Sequence, residues 1–198
     1  MTSVRLPPHN DLAQALRVAG DVIITHGRPD GETALRDAWP FAASQRADRK
    51  ASDREKLRVF KADGFRCRYT GELLLLPAYL RLLSALYPDA FPYQANWKAE
   101  ETHPAYWSHT ASLEHVEPIA IGGAEHFDNW VTTSMARNQV RSRFPLESLG
   151  WAVRPRVHDS DWDGGMAAFI TRSAADDVLA NPLHGSYIAR WRKLAVGC

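Results

Sequence analysis

One short segment constrains this chain more than any other feature. Residues 113–144 read LEHVEPIAIGGAEHFDNWVTTSMARNQVRSRF, in which a β-like run ends in Glu114 and His115 and a helix-like run carries Asn138. Neighbouring strand residues point to opposite faces, so Glu114 and His115 can serve one site only where the strand ends or bends. Pro118 and the Gly-Gly pair that follows predict such a break. The segment therefore predicts a strand, a turn and a helix around one polar site.

The residue types in this segment favour metal-assisted hydrolysis of a phosphodiester. The Glu114 carboxylate and the Asn138 amide carbonyl are hard oxygen ligands for a divalent ion. The imidazole of His115 can take a proton from water. Each residue also has an ordinary interpretation: a Glu-His pair is common surface composition, and Asn129 before a helix can be only a cap.

The order acidic-His, Pro118, Gly-Gly, Asn, Asn-x-x-basic over residues 113–144 resembles the HNH nuclease family, also called ββα-metal nucleases. The resemblance implies that Glu114 and Asn138 are metal ligands, that His115 is the general base, and that Asn129 holds the His115 loop in place. It further implies one divalent ion and products with 3′-hydroxyl and 5′-phosphate ends. The oxygen ligands favour Mg²⁺, with Mn²⁺ or another divalent ion as an alternative.

The chain departs from the family at the positions of its structural zinc. Many members carry two Cys-x-x-Cys pairs, whereas residues 67–70 here contain one cysteine and residues 134–137 contain none. A tetrahedral zinc site needs four ligands. We therefore expect no structural zinc. Glu114 also stands where the family often has Asp or His, which keeps the chemistry but lengthens the side chain.

The distribution of charge points to a nucleic-acid partner, although the total does not. The net charge is only +1. Residues 134–156 nevertheless contain five arginines against one acidic residue, and residues 46–68 are also rich in basic side chains. Clustered charge often forms only a solvated face, but two clusters near a candidate phosphate site favour nucleic acid, with DNA preferred. We expect Arg137, Arg141 and Arg143 of the motif helix to contact it.

Cysteine content and hydropathy predict a cytoplasmic protein. The two cysteines, Cys67 and Cys198, form no disulfide framework. The first residues lack the apolar core of a signal peptide, and the most apolar run, residues 73–86, is too short to span a bilayer. We expect no membrane association. The sequence leaves the oligomeric state open, and a homodimer is possible.

We expect an α+β fold with an HNH-like ββα-metal core embedded in helical N- and C-terminal extensions. With 198 residues the chain suits a single domain. Its expected parts are a mainly helical N-terminal extension (1–62), a nuclease core (63–145) with an insertion at about 72–110, and a C-terminal extension (146–198). Periodicity predicts helices at 11–18, 32–38, 53–62, 133–143 and 186–194, another helix from Pro77, and a β-like run at 21–25.

The sequence alone leaves two questions open. The aromatic-rich residues 91–110 could stack on bases, but such residues more often cover a core, which is the interpretation we favour. The function itself has two rivals: a catalytically inactive nucleic-acid-binding module of the same fold, and an RNA-directed nuclease.

Overall fold

The structure, a computed structural model, describes residues 9–38, 51–119, 122–142, 144–157 and 161–197. Helices surround a two-stranded antiparallel sheet, so the fold belongs to the mixed α+β class. The elements follow in the order α1 (His9–His26), α2 (Arg28–Ala38), α3 (Asp53–Ala62), α4 (Pro77–Leu86), α5 (Ala105–Ser108), β1 (Ala111–His115), β2 (Trp130–Ser134), α6 (Met135–Arg141), α7 (Met166–Arg172), α8 (Asp176–Leu179) and α9 (Gly185–Val196).

The N-terminal region is a helical hairpin, and here the sequence prediction was partly wrong. The β-like run at residues 21–25 lies inside α1, and α2 begins at Arg28, four residues before the predicted helix at 32–38. The cause is close packing of the two helices: Gly31 is buried, and a Cβ added to it would overlap the side chain of Ile23. That contact overrides the β propensity of the branched residues in α1.

Helix α3 begins and ends where its local sequence predicted. The Ser52 hydroxyl accepts a hydrogen bond from the Glu55 backbone N–H, and the Glu55 carboxylate accepts one from the Ser52 backbone N–H. This capping box satisfies two N–H groups that the first turn of a helix would otherwise leave unpaired. Leu57, Val59 and Phe60 point into the core.

After α3 the chain makes a short turn that joins the sheet. Arg66 and Leu73 form an isolated antiparallel bridge, and the Arg68 backbone N–H donates to Thr132 O of β2 at 2.8 Å. Strands β1 and β2 pair in a register that sets Glu114 opposite Val131. The segment after α3 therefore forms a short turn that is hydrogen-bonded to β2.

The insertion packs its aromatic side chains onto one another. The Tyr106 ring is buried and lies 5.1 Å from Tyr93 and 5.4 Å from Trp97, between ring centroids. Its hydroxyl donates to Leu80 O of α4 at 3.0 Å. This arrangement agrees with the core-covering interpretation of residues 91–110.

The main core lies between α3, α4, the sheet and the C-terminal helices. Phe169 of α7 and Ile188 and Trp191 of α9 are buried in it. The last helix was predicted at 186–194 and spans Gly185–Val196. None of the described helices is both long and apolar enough to cross a membrane.

A buried carboxylate ties three parts of the chain together. Asp63, at the end of α3, has an exposed fraction of 0%. Its Oδ1 accepts hydrogen bonds from Arg68 Nη1 at 2.7 Å and from Arg156 Nε at 2.9 Å. Its Oδ2 accepts from the Thr132 backbone N–H at 2.7 Å. Asp63 thus links α3, β2 and the segment after α6.

Candidate active site

The predicted site residues lie on a strand–loop–strand–helix unit formed by β1, β2 and α6. Strand β1 ends at His115, the position where the sequence required a break. Helix α6 follows β2 directly, and the Ser134 hydroxyl caps it by accepting from the Arg137 backbone N–H. The motif helix, predicted at 133–143, is shorter than expected because Thr133 and Ser134 belong to β2.

Asn129 joins the two ends of the loop between the strands. Its Oδ1 accepts from the Glu117 backbone N–H at 2.8 Å, and its Nδ2 donates to Glu117 O and Ala124 O, each at 2.9 Å. The loop is also closed by the Gly123 backbone N–H, which donates to Pro118 O at 3.0 Å. A Cβ on Gly123 would overlap the Glu117 carbonyl, so this turn requires glycine.

His115 forms a buried polar group with Glu125 and Trp130. His115 Nε2 lies 2.6 Å from Glu125 Oε2, and Trp130 Nε1 lies 3.0 Å from both of these atoms. A nitrogen–carboxylate contact this short needs a proton between the atoms, which we assign to Nε2. Trp130 Nε1–H then donates to Glu125 Oε2, and Nδ1 is the ring nitrogen outside this hydrogen-bonded group. Only 7% of the His115 side chain is exposed.

Glu114 is buried beside other ionisable groups. It is 5% exposed, and its Oε1 accepts from the His115 backbone N–H at 2.8 Å. Burial raises the pKa of the neighbouring Tyr69 hydroxyl, the Glu114 carboxylate raises this pKa further, and the Arg141 guanidinium lowers it. The opposite charges of Glu114 and Arg141 therefore act in the same interior region.

The side-chain amide of Asn138 is held against β1. Nδ2 donates to Ser112 Oγ at 2.8 Å and to Leu113 O at 2.9 Å. Both N–H groups are thus used, and the carbonyl Oδ1 faces away from these two acceptors. Ser112 and Glu114 lie two residues apart on a strand, so their side chains share one face. Asn138 packs on that same face.

The donor set fits a hard divalent ion, although the protein alone does not form a cage for one. The Glu114 carboxylate and Asn138 Oδ1 are oxygen ligands of the kind that Mg²⁺ uses with water and substrate phosphate. Within the described ranges, no group of three or more His, Cys, Asp or Glu side chains converges to hold a metal ion. Any ion here would take its remaining ligands from water and substrate.

Arg141 is not where a DNA-contacting residue must be. The expectation of a phosphate contact does not fit its position, because its exposed fraction is 0%. Its guanidinium donates to Val116 O at 2.7 Å and to Phe144 O. Since a backbone carbonyl beside His115 is its acceptor, Arg141 braces the end of β1 from inside.

Of the other two predicted arginines, the structure describes Arg137 alone. Arg137 is partly exposed, and its guanidinium pairs with the Glu72 carboxylate, the closest contact being 3.1 Å from Nη2 to Oε2. Arg143 lies outside the described residues. Arg137 is thus already engaged within the protein.

Sequence reasoning missed Glu125 and Trp130. Glu125 stands ten residues after His115, a spacing with no periodic meaning in a loop, so no local signal pairs them. Trp130 carried one usable signal: a strand-end tryptophan that becomes buried needs an acceptor for its N–H. The loop brings that acceptor, Glu125, back onto β1.

Residues 67–70 and 134–137, which stand where many HNH nucleases have Cys-x-x-Cys pairs, are joined by contacts other than zinc–thiolate bonds. Cys67 is buried, and its Sγ lies 3.5 Å from Thr133 Oγ1, next to the second position. Thr70 donates to the Glu72 carboxylate at 2.8 Å, which in turn pairs with Arg137. A thiol–hydroxyl contact and an ion pair therefore join these two segments.

Comparison with known proteins returned no match: neither a family model, nor a curated protein, nor a solved structure is similar to this chain.

Proposed function

We propose that this protein is a metal-dependent endonuclease of the HNH (ββα-metal) type that hydrolyses phosphodiester bonds in DNA. The observation that carries the proposal is the placement of Glu114, His115 and Asn138 on one strand–strand–helix unit. Their loop is closed by Asn129. We also propose a cytoplasmic location, in keeping with a chain that has two cysteines.

Each residue has a role that its contacts support. Glu114 and Asn138 Oδ1 would hold one divalent ion, most simply Mg²⁺, with Mn²⁺ as a substitute. When bound, such an ion supplies Lewis-acid stabilisation of negative charge on the phosphate oxygens. His115 Nδ1 takes a proton from the attacking water. Glu125 accepts the hydrogen bond from Nε2–H and so fixes the ring and its tautomer.

Asn129 and Arg141 support this site as positioning residues. Asn129 closes the loop that returns Glu125 to His115, and Arg141 holds the carbonyl of Val116. Neither side chain contacts the reacting atoms in this proposal. Their contribution is to keep the His115 ring within reach of one attacking water, since small displacements of a catalytic group are costly in rate.

One observation favours the rival, a nucleic-acid-binding module without turnover. The His115 side chain is almost completely buried, and Glu125 already occupies its Nε2. In that interpretation the His115–Glu125–Trp130 group would only stabilise the loop.

Cleavage of supercoiled plasmid distinguishes these functions. We expect conversion to nicked or linear DNA with Mg²⁺ or Mn²⁺ and none with EDTA, because the phosphate charge needs the ion. The parallel substrate is single-stranded RNA, whose preferential cleavage would indicate the RNA-directed alternative. Binding of plasmid with no cleavage under any divalent ion would select the binding module and overturn the nuclease proposal.

A second prediction concerns structural zinc. We expect the purified protein to contain no stoichiometric zinc, because the Cys67 thiol contacts a hydroxyl and the neighbouring segment is joined by the Glu72–Arg137 ion pair. Elemental analysis of protein purified without chelator, followed by thermal unfolding with and without EDTA, measures this. One zinc per chain whose removal unfolds the protein would contradict the prediction.

A further inference from the structure

Helix α3 presents an exposed basic face. Arg54, Arg58 and Lys61 are all exposed, and their spacing of four and then three residues places them on one side of the helix. The opposite side packs into the core through residues such as Leu57 and Phe60. We refer to Arg54, Arg58 and Lys61 as the basic face.

The basic face adjoins the loop that carries Glu125. The Arg58 guanidinium carbon lies 4.4 Å from the centroid of the Phe127 ring, and that of Arg156 lies 4.7 Å from the same centroid. Phe127 follows Glu125 by two residues, and Glu125 is hydrogen-bonded to His115. Two guanidinium groups from different parts of the chain thus converge beside the candidate active site. The ring holds both through cation–π contact.

The acidic residues of α3 have polar contacts outside the basic face, although the charge of Arg58 also acts on Glu55. Glu55 belongs to the capping box, where hydrogen bonds from Ser52 lower the pKa of its carboxyl. Asp53 pairs with Lys56 at 3.1 Å and with Arg190 at 3.0 Å.

Asp63, at the end of the helix, is buried and forms ion pairs with Arg68 and Arg156, which are partly exposed. Neither Arg54 nor Arg58 forms an ion pair with any described residue. The basic face therefore places three cationic side chains beside the loop that carries Glu125.

We propose that the basic face binds the sugar–phosphate backbone of duplex DNA next to the bond that is cut. This inference rests on the proposed function. The face extends roughly 10 Å along α3, at about 1.5 Å per residue, and duplex DNA carries about one negative charge per 1.7 Å of axis. Several phosphates thus lie within reach. Arginine suits them, because its planar fork makes paired hydrogen bonds to phosphate oxygens.

Such contacts give affinity without sequence information. The side chains of the basic face also supply the positive charge that α6 does not offer to DNA, because Arg141 is buried and Arg137 is paired with Glu72. The basic cluster that the sequence placed near residues 46–68 would then be the one that contacts DNA, by way of its helical part.

The test is duplex binding measured against salt in EDTA, so that no cleavage can occur. The variant replaces the whole basic face by alanine (Arg54→Ala, Arg58→Ala and Lys61→Ala). A matched control removes three exposed cations from other elements and changes the net charge equally (Lys98→Ala, Arg172→Ala and Lys193→Ala). A fluorescent duplex and vesicles containing phosphatidylserine are the two probes.

We expect the variant to lower the slope of log affinity against log salt by about two to three units, since each lost phosphate contact removes about 0.9. The control should keep the wild-type slope. If the triple variant does not fold, Arg54→Gln with Lys61→Gln leaves the Arg58–Phe127 contact in place and should lower the slope by about two units.

Several outcomes would overturn the inference. They are an unchanged slope, an equal loss in the control, absence of duplex binding by the wild type, or a loss confined to vesicle binding. The proposed function is tested separately. A protein that binds duplex through this face but never cleaves plasmid would contradict the nuclease proposal and leave the inference about the basic face standing.

Discussion

Replacing His115 by alanine should abolish cleavage of supercoiled plasmid while the protein stays folded. Loss of a general base typically lowers the rate by about 10²–10⁴-fold. Binding of duplex DNA in EDTA should remain near the wild-type value, because the base is needed only in the transition state. The measurement is the single-turnover cleavage rate with saturating Mg²⁺, alongside circular dichroism of both proteins.

The chain offers a matched control in the same loop. His126 is exposed, with 69% of its side chain accessible, and pairs with Asp128 rather than with the buried group. His126→Ala should therefore cleave like the wild type. Full activity in His115→Ala would remove His115 from the mechanism. Equal loss in both variants would show that the loop, and not the His115 ring, is what the reaction needs.

Replacing Asp63 by alanine should destabilise the protein far more than removal of an exposed carboxylate. The Asp63 carboxylate is fully buried and accepts hydrogen bonds from Arg68, Arg156 and the Thr132 backbone. Removing one partner of a buried ion pair typically costs about 3–5 kcal/mol, because the remaining charge is left uncompensated. Urea unfolding followed by tryptophan fluorescence measures the free energy of unfolding.

An exposed ion pair provides the comparison for Asp63. Glu101 pairs with Lys98 at 3.0 Å, with about half of its side chain exposed, so Glu101→Ala should change the free energy of unfolding by less than about 1 kcal/mol. Asp63→Asn should also destabilise the protein, since the amide nitrogen cannot accept hydrogen bonds and the negative charge is lost. A loss below about 1 kcal/mol for Asp63→Ala would contradict the role of this carboxylate as a link.

The sequence by itself determined the elements whose signals are local. The capping box at Ser52 placed α3 at Asp53–Ala62, because its donors and acceptors lie within three residues of one another. Pro77 marked the first residue of α4. The break after His115 followed from Pro118 and the Gly-Gly turn, and the structure places the end of β1 there. In each case the interacting groups are neighbours in the chain.

Only the tertiary structure decided the partners that are distant in sequence. Gly31 meets Ile23 across the α1–α2 hairpin, and the run expected as a strand is part of helix α1. Arg141, expected to contact nucleic acid, is buried, and the end of β1 offers it a carbonyl acceptor. Glu125 reaches His115 because Asn129 closes the intervening loop. Local periodicity sets which face of a helix or strand a side chain occupies. What packs against that face depends on residues that are distant in the sequence. A single sequence shows no repeating pattern from which those distant partners can be identified.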